Sequence, residues 1–219
     1  MVTANNRTTG AEPPWTLTGS ANIVFYRFSA DFVNKRMVVP EGLEGMFLGG
    51  IGALGLVEYV TSPVGPYREL WFSPGQFAFG SRKYHSITHM YVTTTPGMEA
   101  GRAYWGLPKT IAEIDRSDEN GVDQWRVFKD GHLLLDVAFR PGRLSLPVWS
   151  WMVRPRIMQH WNGQHYLTRL RGNARVRLTD LSQPQGRSPE FPDLSHARPI
   201  GAVNLPRFRL IMPAARVGD

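Results

Sequence analysis

Glycine- and proline-containing turns separate strand-like segments along this chain, with few helices between them, and this spacing limits the fold more than any other feature. There are 22 glycines and 17 prolines in 219 residues, and the runs between them are short and rich in β-branched and aromatic side chains, as strands are. Strands are expected at 22–28, into 57–60, and at 67–72, 86–93, 125–129, 132–139, 165–179 and 208–212. Asp130-Gly131, between two of these runs, is the strongest hairpin signal. Ser29 can cap a short helix that runs to Lys35 or Arg36 before Pro40, and Pro96 suits the first turn of another through Tyr104. The expectation is a mainly β chain with a few short helices, its largely antiparallel sheet closed or strongly curved. Residues 1–13 are polar and should fray, residues 14–219 should form one domain, and 183–192 should be a surface loop.

Composition removes several function classes. The formal charge is +7, and its densest source is the alternation of Arg169, Arg171, Arg175 and Arg177. Arginine at every second position is what one strand face shows to solvent, and no helix-turn-helix, zinc-finger or RNA-binding signature accompanies it. No nucleic-acid partner is expected, although an anionic substrate would be attracted. With no cysteine, disulfides, thiolate metal sites and a cysteine nucleophile are excluded. The longest apolar run, 46–57, is too short and glycine-rich to span a bilayer, and the start has no apolar signal core. A soluble cytoplasmic protein, with no membrane partner, is the expectation.

The motifs narrow the chemistry further. Gly50, Gly52 and Gly55 have the spacing of a dinucleotide fingerprint, but Val57, Tyr59, Val60 and Thr61 favour a strand where that site needs a helix. Gly101 to Thr110 fails as a phosphate loop because Leu107-Pro108 separates Gly106 from Lys109. His85 and His89 would share a strand face without a third ligand nearby, so hydrogen-bonded or surface histidines are expected and no metal or cofactor is assigned. Ser62 lacks a nucleophile-elbow context.

What remains is Lys109, which follows a proline among apolar side chains. Only Lys35, Lys83, Lys109 and Lys129 are lysines, and arginine, the commoner base here, is not a Schiff-base nucleophile. Removing an ammonium from water disfavours its charged form, so a buried lysine becomes available as an amine; an exposed one would be an ordinary solvated side chain. Glu58 and Glu69 lie in strand-like segments joined through Pro63 and Pro66, and a hairpin there would bring them near one another. They could shuttle protons or orient an iminium, or simply face water or pair with Arg68.

Asn22-Ile23-Val24-Phe25-Tyr26-Arg27, Val38-Val39-Pro40-Glu41-Gly42-Leu43, Gly65-Pro66-Tyr67-Arg68-Glu69, Gly101-Arg102 through Pro108-Lys109, and Leu205-Pro206 to Pro213-Ala214-Ala215 resemble the acetoacetate decarboxylase family in order and separation. The resemblance implies a cone-shaped closed β-barrel in a homo-oligomer. It places Lys109 on the Schiff-base lysine and Glu58 and Glu69 on two active-site glutamates. Trp105 and Leu107 would then wall the pocket. Thr110 stands where the family's decarboxylases have a second lysine, and Gly19 or Ser20 where they have an arginine, so Ser20 and Thr110 join the expected substrate contacts and acetoacetate itself is not implied. The implied activity is Schiff-base chemistry on a β-keto acid or related carbonyl compound, by decarboxylation or aldol/dehydration, in a carbon-carbon lyase. Two other readings share the same losses: cyclisation of a polyketide-like intermediate without covalent lysine catalysis, and noncatalytic binding of a small molecule.

Overall fold

The computed structural model describes residues 11–153 and 155–218; most of the 1–13 segment expected to fray lies outside the described residues. The indole of Trp15 donates to Ala11 O at 2.5 Å where the first strand begins. In chain order the elements are β1 (Trp15–Tyr26), α1 (Ala30–Arg36), β2 (Phe47–Gly49), β3 (Gly52–Thr61), β4 (Tyr67–Ser73), β5 (Gln76–Phe79), β6 (Arg82–His85), β7 (His89–Val92) and α2 (Thr95–Trp105). There follow β8 (Lys109–Ile111), β9 (Glu113–Glu119), β10 (Val122–Lys129), β11 (His132–Pro141), β12 (Leu146–Trp149), α3 (Ser150–Val153), β13 (Arg156–Trp161), β14 (Gln164–Arg169), β15 (Arg171–Leu181), β16 (Pro199–Met212) and β17 (Arg216–Gly218).

The chain is mainly β with short helices, as expected. Ser29 caps α1, its hydroxyl accepting from Phe32 N at 3.1 Å, and Asp130 and Gly131 both take positive φ between β10 and β11, the geometry of a tight hairpin turn. The larger sheet runs β8-β7-β4-β3-β1-β16-β15-β11-β10-β9, with β12 alongside β15, and the smaller runs β17-β14-β13-β6-β5-β2. Ladders are antiparallel except β7 with β8 and β13 with β6. The two ends of the larger sheet, β8 and β9, are consecutive in the chain and joined at Ala112, whose N–H donates to Val92 O at 3.0 Å. Among the described residues no ladder joins β8 to β9, so closure by a continuous hydrogen-bonded ring is not what holds these edges together.

β1 explains how the sheet is covered on both faces. Its side chains alternate: Trp15, Leu17 and Ala21 pack in one cluster with Tyr59, Tyr67, Trp105 and Phe208, while Val24 and Tyr26 pack in another with Leu56, Phe72, Trp125 and Phe139. The second cluster draws on strands from β1 round to β11 and is the inside of the curve; the first lies outside it, under α2.

Three expectations change. The strand expected over 86–93 is confined to β7 (His89–Val92), and residues 86–88 instead link it to β6 in the other sheet, because Gln159 serves the linker as a ladder partner would. Its Oε1 accepts from Ser86 Oγ at 2.7 Å and Ile87 N at 2.9 Å, and its Nε2 donates to Ile87 O at 3.0 Å. The strand expected over 165–179 breaks at Leu170 into β14 and β15; Arg169, Arg171 and Arg175 are exposed, but a register shift between Arg175 and Arg177 leaves Arg177 half-buried. The 183–192 loop is not wholly at the surface, since Phe191 is buried against Phe72, His89 and Tyr91. Gly55 is needed for packing, as expected: a Cβ there would lie 2.2 Å from the Trp71 ring. Among the described residues no helix is long and apolar enough to cross a membrane.

Candidate active site

Parallel pairing of β7 and β8 requires a crossover, and α2 supplies it. The helix ends at Gly106, whose φ of +60° is the left-handed conformation that glycine adopts without strain. Gly106 N donates to Arg102 O and Leu107 N to Gly101 O, each at 3.1 Å. Pro108 cannot extend the helix, and Lys109 then enters β8 opposite Met90. Arg102 Nε donates to Lys109 O at 2.8 Å, tying the strand back to the helix that delivers it.

The Lys109 side chain runs inward beneath α2. Its Nζ lies 2.9 Å from Glu69 Oε2, with the two side chains only 4% and 2% exposed. Glu69 Oε1 accepts a hydrogen bond from Tyr59 OH at 3.0 Å, whereas Oε2 accepts no directed hydrogen bond and has the ammonium as its charge partner. The Tyr67 ring lies 5.2 Å from Nζ, within cation-π range. Burial, then the Glu69 charge, pushes both the Tyr59 and Tyr67 phenols well above their ordinary range. They therefore stay neutral, and Tyr59 serves as a donor.

The hairpin joining β3 and β4 forms as expected, but it separates the two glutamates. Val57 pairs with Glu69, and Glu58 with Arg68, so the carboxylates are one residue out of step, and in a ladder of period two that puts them on opposite faces. Glu58 lies inside the curve, 2.9 Å from Arg68 Nε and 2.6 Å from Arg116 Nη1. Arg116 also holds Asp123 at 2.7 Å and donates to Ser20 Oγ at 2.8 Å. Interactions with Asp123 and Glu58 outweigh the effect of burial and raise the guanidinium's affinity for its proton. Ser20 therefore sits with Glu58, away from Lys109.

Trp105 and Leu107 are buried on the Lys109 side. The Trp105 indole donates to Pro213 O at 2.7 Å and meets Trp15 edge to face, which makes it a packing anchor. Thr110 faces the other way and lines a cavity inside the curve. Lys109, Glu69, Trp105 and Leu107 thus share one side of the sheet, and Glu58, Ser20 and Thr110 the other. His85 and His89 do not share a strand face, because they fall in separate sheets.

Sequence reasoning missed Tyr59, Tyr67, Gly101 and Arg116. Applying the period of two from a Tyr59–Tyr67 closing pair would have found the two tyrosines with Glu69. The contact of Arg116 with Ser20 spans 96 residues, and no local pattern encodes it. Gly101 has a plain physical role: a Cβ there would lie 2.4 Å from Lys109 Cδ. The lysine chain cannot swing aside without leaving Glu69. Gly101→Ala should therefore destabilise the protein in urea denaturation, since overpacking costs about 1–3 kcal/mol against a helix-propensity gain of about 1 kcal/mol. In a Lys109→Ala background the same change should become stabilising. A stabilising Gly101→Ala in the wild-type background would rule out the close approach.

Comparison with known proteins agrees with this fold. No curated protein sequence matches the chain. Among solved structures it is similar to an acetoacetate decarboxylase from Legionella pneumophila subsp. pneumophila str. Philadelphia 1, with a TM-score of 0.76 at 14% identity, covering 96% of this chain and 89% of that one. It is also similar to the enduracididine biosynthesis enzyme MppR complexed with pyruvate, with a TM-score of 0.70 at 15% identity over 97% and 93% of the two chains. A third likeness is to an acetoacetate decarboxylase-like enzyme from Sphingomonas wittichii RW1, with a TM-score of 0.68 at 15% identity over 95% and 94%. At these identities the structures show a shared fold. The family model for acetoacetate decarboxylase (ADC) matches residues 1–171, and the chain belongs to the acetoacetate decarboxylase family.

Proposed function

We propose that the protein is a Schiff-base enzyme, a carbon-carbon lyase in which Lys109 condenses with the ketone of a small keto acid. The observation that carries this reading is the buried pair of Lys109 with Glu69, 2.9 Å apart. Glu69 Oε2, the carboxylate oxygen beside Nζ, takes the ammonium's proton and so frees the amine. The amine then attacks the carbonyl carbon, and Glu69 returns the proton as water leaves, giving an iminium. For a β-keto acid, the bond to the carboxylate breaks and its electron pair moves into the enamine as carbon dioxide departs. Protonation at carbon and hydrolysis release the ketone and restore Lys109. Tyr59 OH, donating to Oε1, holds the carboxylate while Oε2 exchanges the proton.

With Thr110 beside it, Lys109 has no adjacent ammonium to help it lose its proton, so desolvation and Glu69 must do this. Glu58 is assigned to the inner ion-pair network rather than to proton transfer, because Arg68 and Arg116 occupy both its oxygens. The likeness to MppR, whose structure carries pyruvate, supports a second outcome from the same intermediate: deprotonation to an enamine that attacks an aldehyde, followed by loss of water. The consecutive placement of β8 and β9 at the ends of the curved sheet supports a cone-shaped barrel. Exposed Leu144, Leu146, Trp149, Trp151, Met152 and Leu178 gather around β12, α3 and β15, and an apolar surface of this kind supports self-association.

Two measurements test these readings. Incubating the protein with pyruvate, acetoacetate and longer β-keto acids, then reducing with borohydride, should trap an adduct that mass spectrometry maps to Lys109 and that Lys109→Ala abolishes. No adduct at Lys109 across the panel would reject the covalent mechanism, and full turnover by Lys109→Ala would favour noncovalent cyclisation. Sedimentation should show an oligomer that Leu178→Glu or Trp151→Glu weakens; a wild-type monomer would reject self-association.

A further inference from the structure

Lys109 and Thr110 are consecutive in β8, so they face opposite ways. On the Thr110 side, inside the curve, lies an open-mouthed cavity of about 340 Å³, at the lower end of the range for small-molecule sites. Val38, Pro40 and Pro189 form apolar walls, and Thr88, His89 and Thr110 supply polar groups. Thr110 follows Lys109 in the chain but points to the opposite face, and among the described residues no hydrogen bond or ion pair links a lining side chain to the Lys109–Glu69 pair, so the cavity is separate from the site described above.

His89 is the group that defines it. The residue is only 8% exposed, between the ring edges of Phe72 and Phe191, with centroids 6.1 and 5.7 Å away. Thr88 Oγ1 shares a hydrogen bond with His89 Nδ1 at 2.9 Å and lies 3.4 Å from Phe72 O. That bond occupies Nδ1 and leaves Nε2 with no hydrogen-bond partner among the described residues. Burial pushes the imidazole down to about 4, so it is neutral at physiological pH. An imidazole nitrogen on so buried a side chain has room for a hydrogen-bonding group that enters from the cavity.

The rest of the lining limits what can arrive. Glu190 contributes the charge at the rim, and Lys129 Nζ lies 2.6 Å from its carboxylate. The Tyr91 hydroxyl is already committed, donating to Glu190 O at 2.6 Å. Among the described residues no cationic side chain lines the cavity, so an anion would find no countercharge there, and a cation would lose its hydration for a carboxylate that already has a partner. A neutral molecule avoids both costs.

We infer that this cavity is a second binding site, for a small neutral molecule that offers one hydroxyl to His89 Nε2 and buries an apolar body against Val38, Pro40 and Pro189. The site does not depend on Schiff-base chemistry at Lys109, and it lies one strand thickness from that residue. Phenol is a suitable probe, with toluene as its counterpart lacking the donor and benzoate as an anionic counterpart.

The test is titration of the full chain, labelled with ¹⁵N-histidine, with each of the three. Phenol should shift the His89 Nε2 resonance saturably and bind about two- to tenfold more tightly than toluene, the worth of one hydrogen bond, while benzoate should not bind. His89→Phe should lower phenol affinity to that of toluene. Thr110→Trp, which fills the cavity from the opposite wall and keeps the imidazole, should abolish the shift. The inference is overturned if phenol fails to saturate by about 10 mM, if toluene or benzoate matches it, or if the shift survives in a folded Thr110→Trp protein.

Discussion

The ion pair between Lys109 and Glu69 organises the outer side of this molecule. Both side chains are almost wholly out of water, and removing two charges from water costs several kcal/mol each, which their mutual attraction only partly offsets. A pair of well-packed apolar residues would serve the fold as well or better. Much of the local structure exists to hold these charges: Tyr59 satisfies one carboxylate oxygen, Tyr67 presents its ring to the ammonium, Gly101 leaves space for the lysine chain, and Arg102 fastens its backbone. An arrangement that costs stability and is supported from several elements is what a reactive site requires.

The sheet's alternation then divides the remaining polar chemistry. Inside the curve, Glu58 and Asp123 face Arg68 and Arg116 in a charge-balanced group, and Asn22 links Asp123 to Asn204 at 2.7 and 2.9 Å. This network ties β1, β3, β4, β9, β10 and β16 together through side chains. It carries a mechanical role, and the proposed chemistry belongs to the outer pair. Because both faces are buried, a one-residue slip between β3 and β4 would exchange the two sets, so register and reactivity are fixed together.

The chain's elements were legible where local chemistry decides them. Ser29 before α1, Pro96 in α2 and Asp130-Gly131 in the hairpin each act within a few residues and were read correctly. The breaks at Ser86–Thr88 and at Leu170, and the burial of Phe191, depend on partners far away in the chain, such as Gln159, 73 residues beyond Ser86. At the site, Lys109 stood out through the scarcity of lysine, and Glu69 through its apolar setting. Glu58 looked equivalent to Glu69 because proximity along a hairpin was considered without the parity of its register, and Ser20 because its arginine comes from β9.

The most direct test of the central claim is a double-mutant cycle on Lys109 and Glu69, measured by urea denaturation. If the pair is a stability cost retained for reactivity, Lys109→Met and Glu69→Leu should each lose about 3–5 kcal/mol by leaving a buried charge alone, while the double variant should match or exceed wild-type stability. A double variant as unstable as the sum of its singles would contradict the account, because the pair would then be holding the fold together.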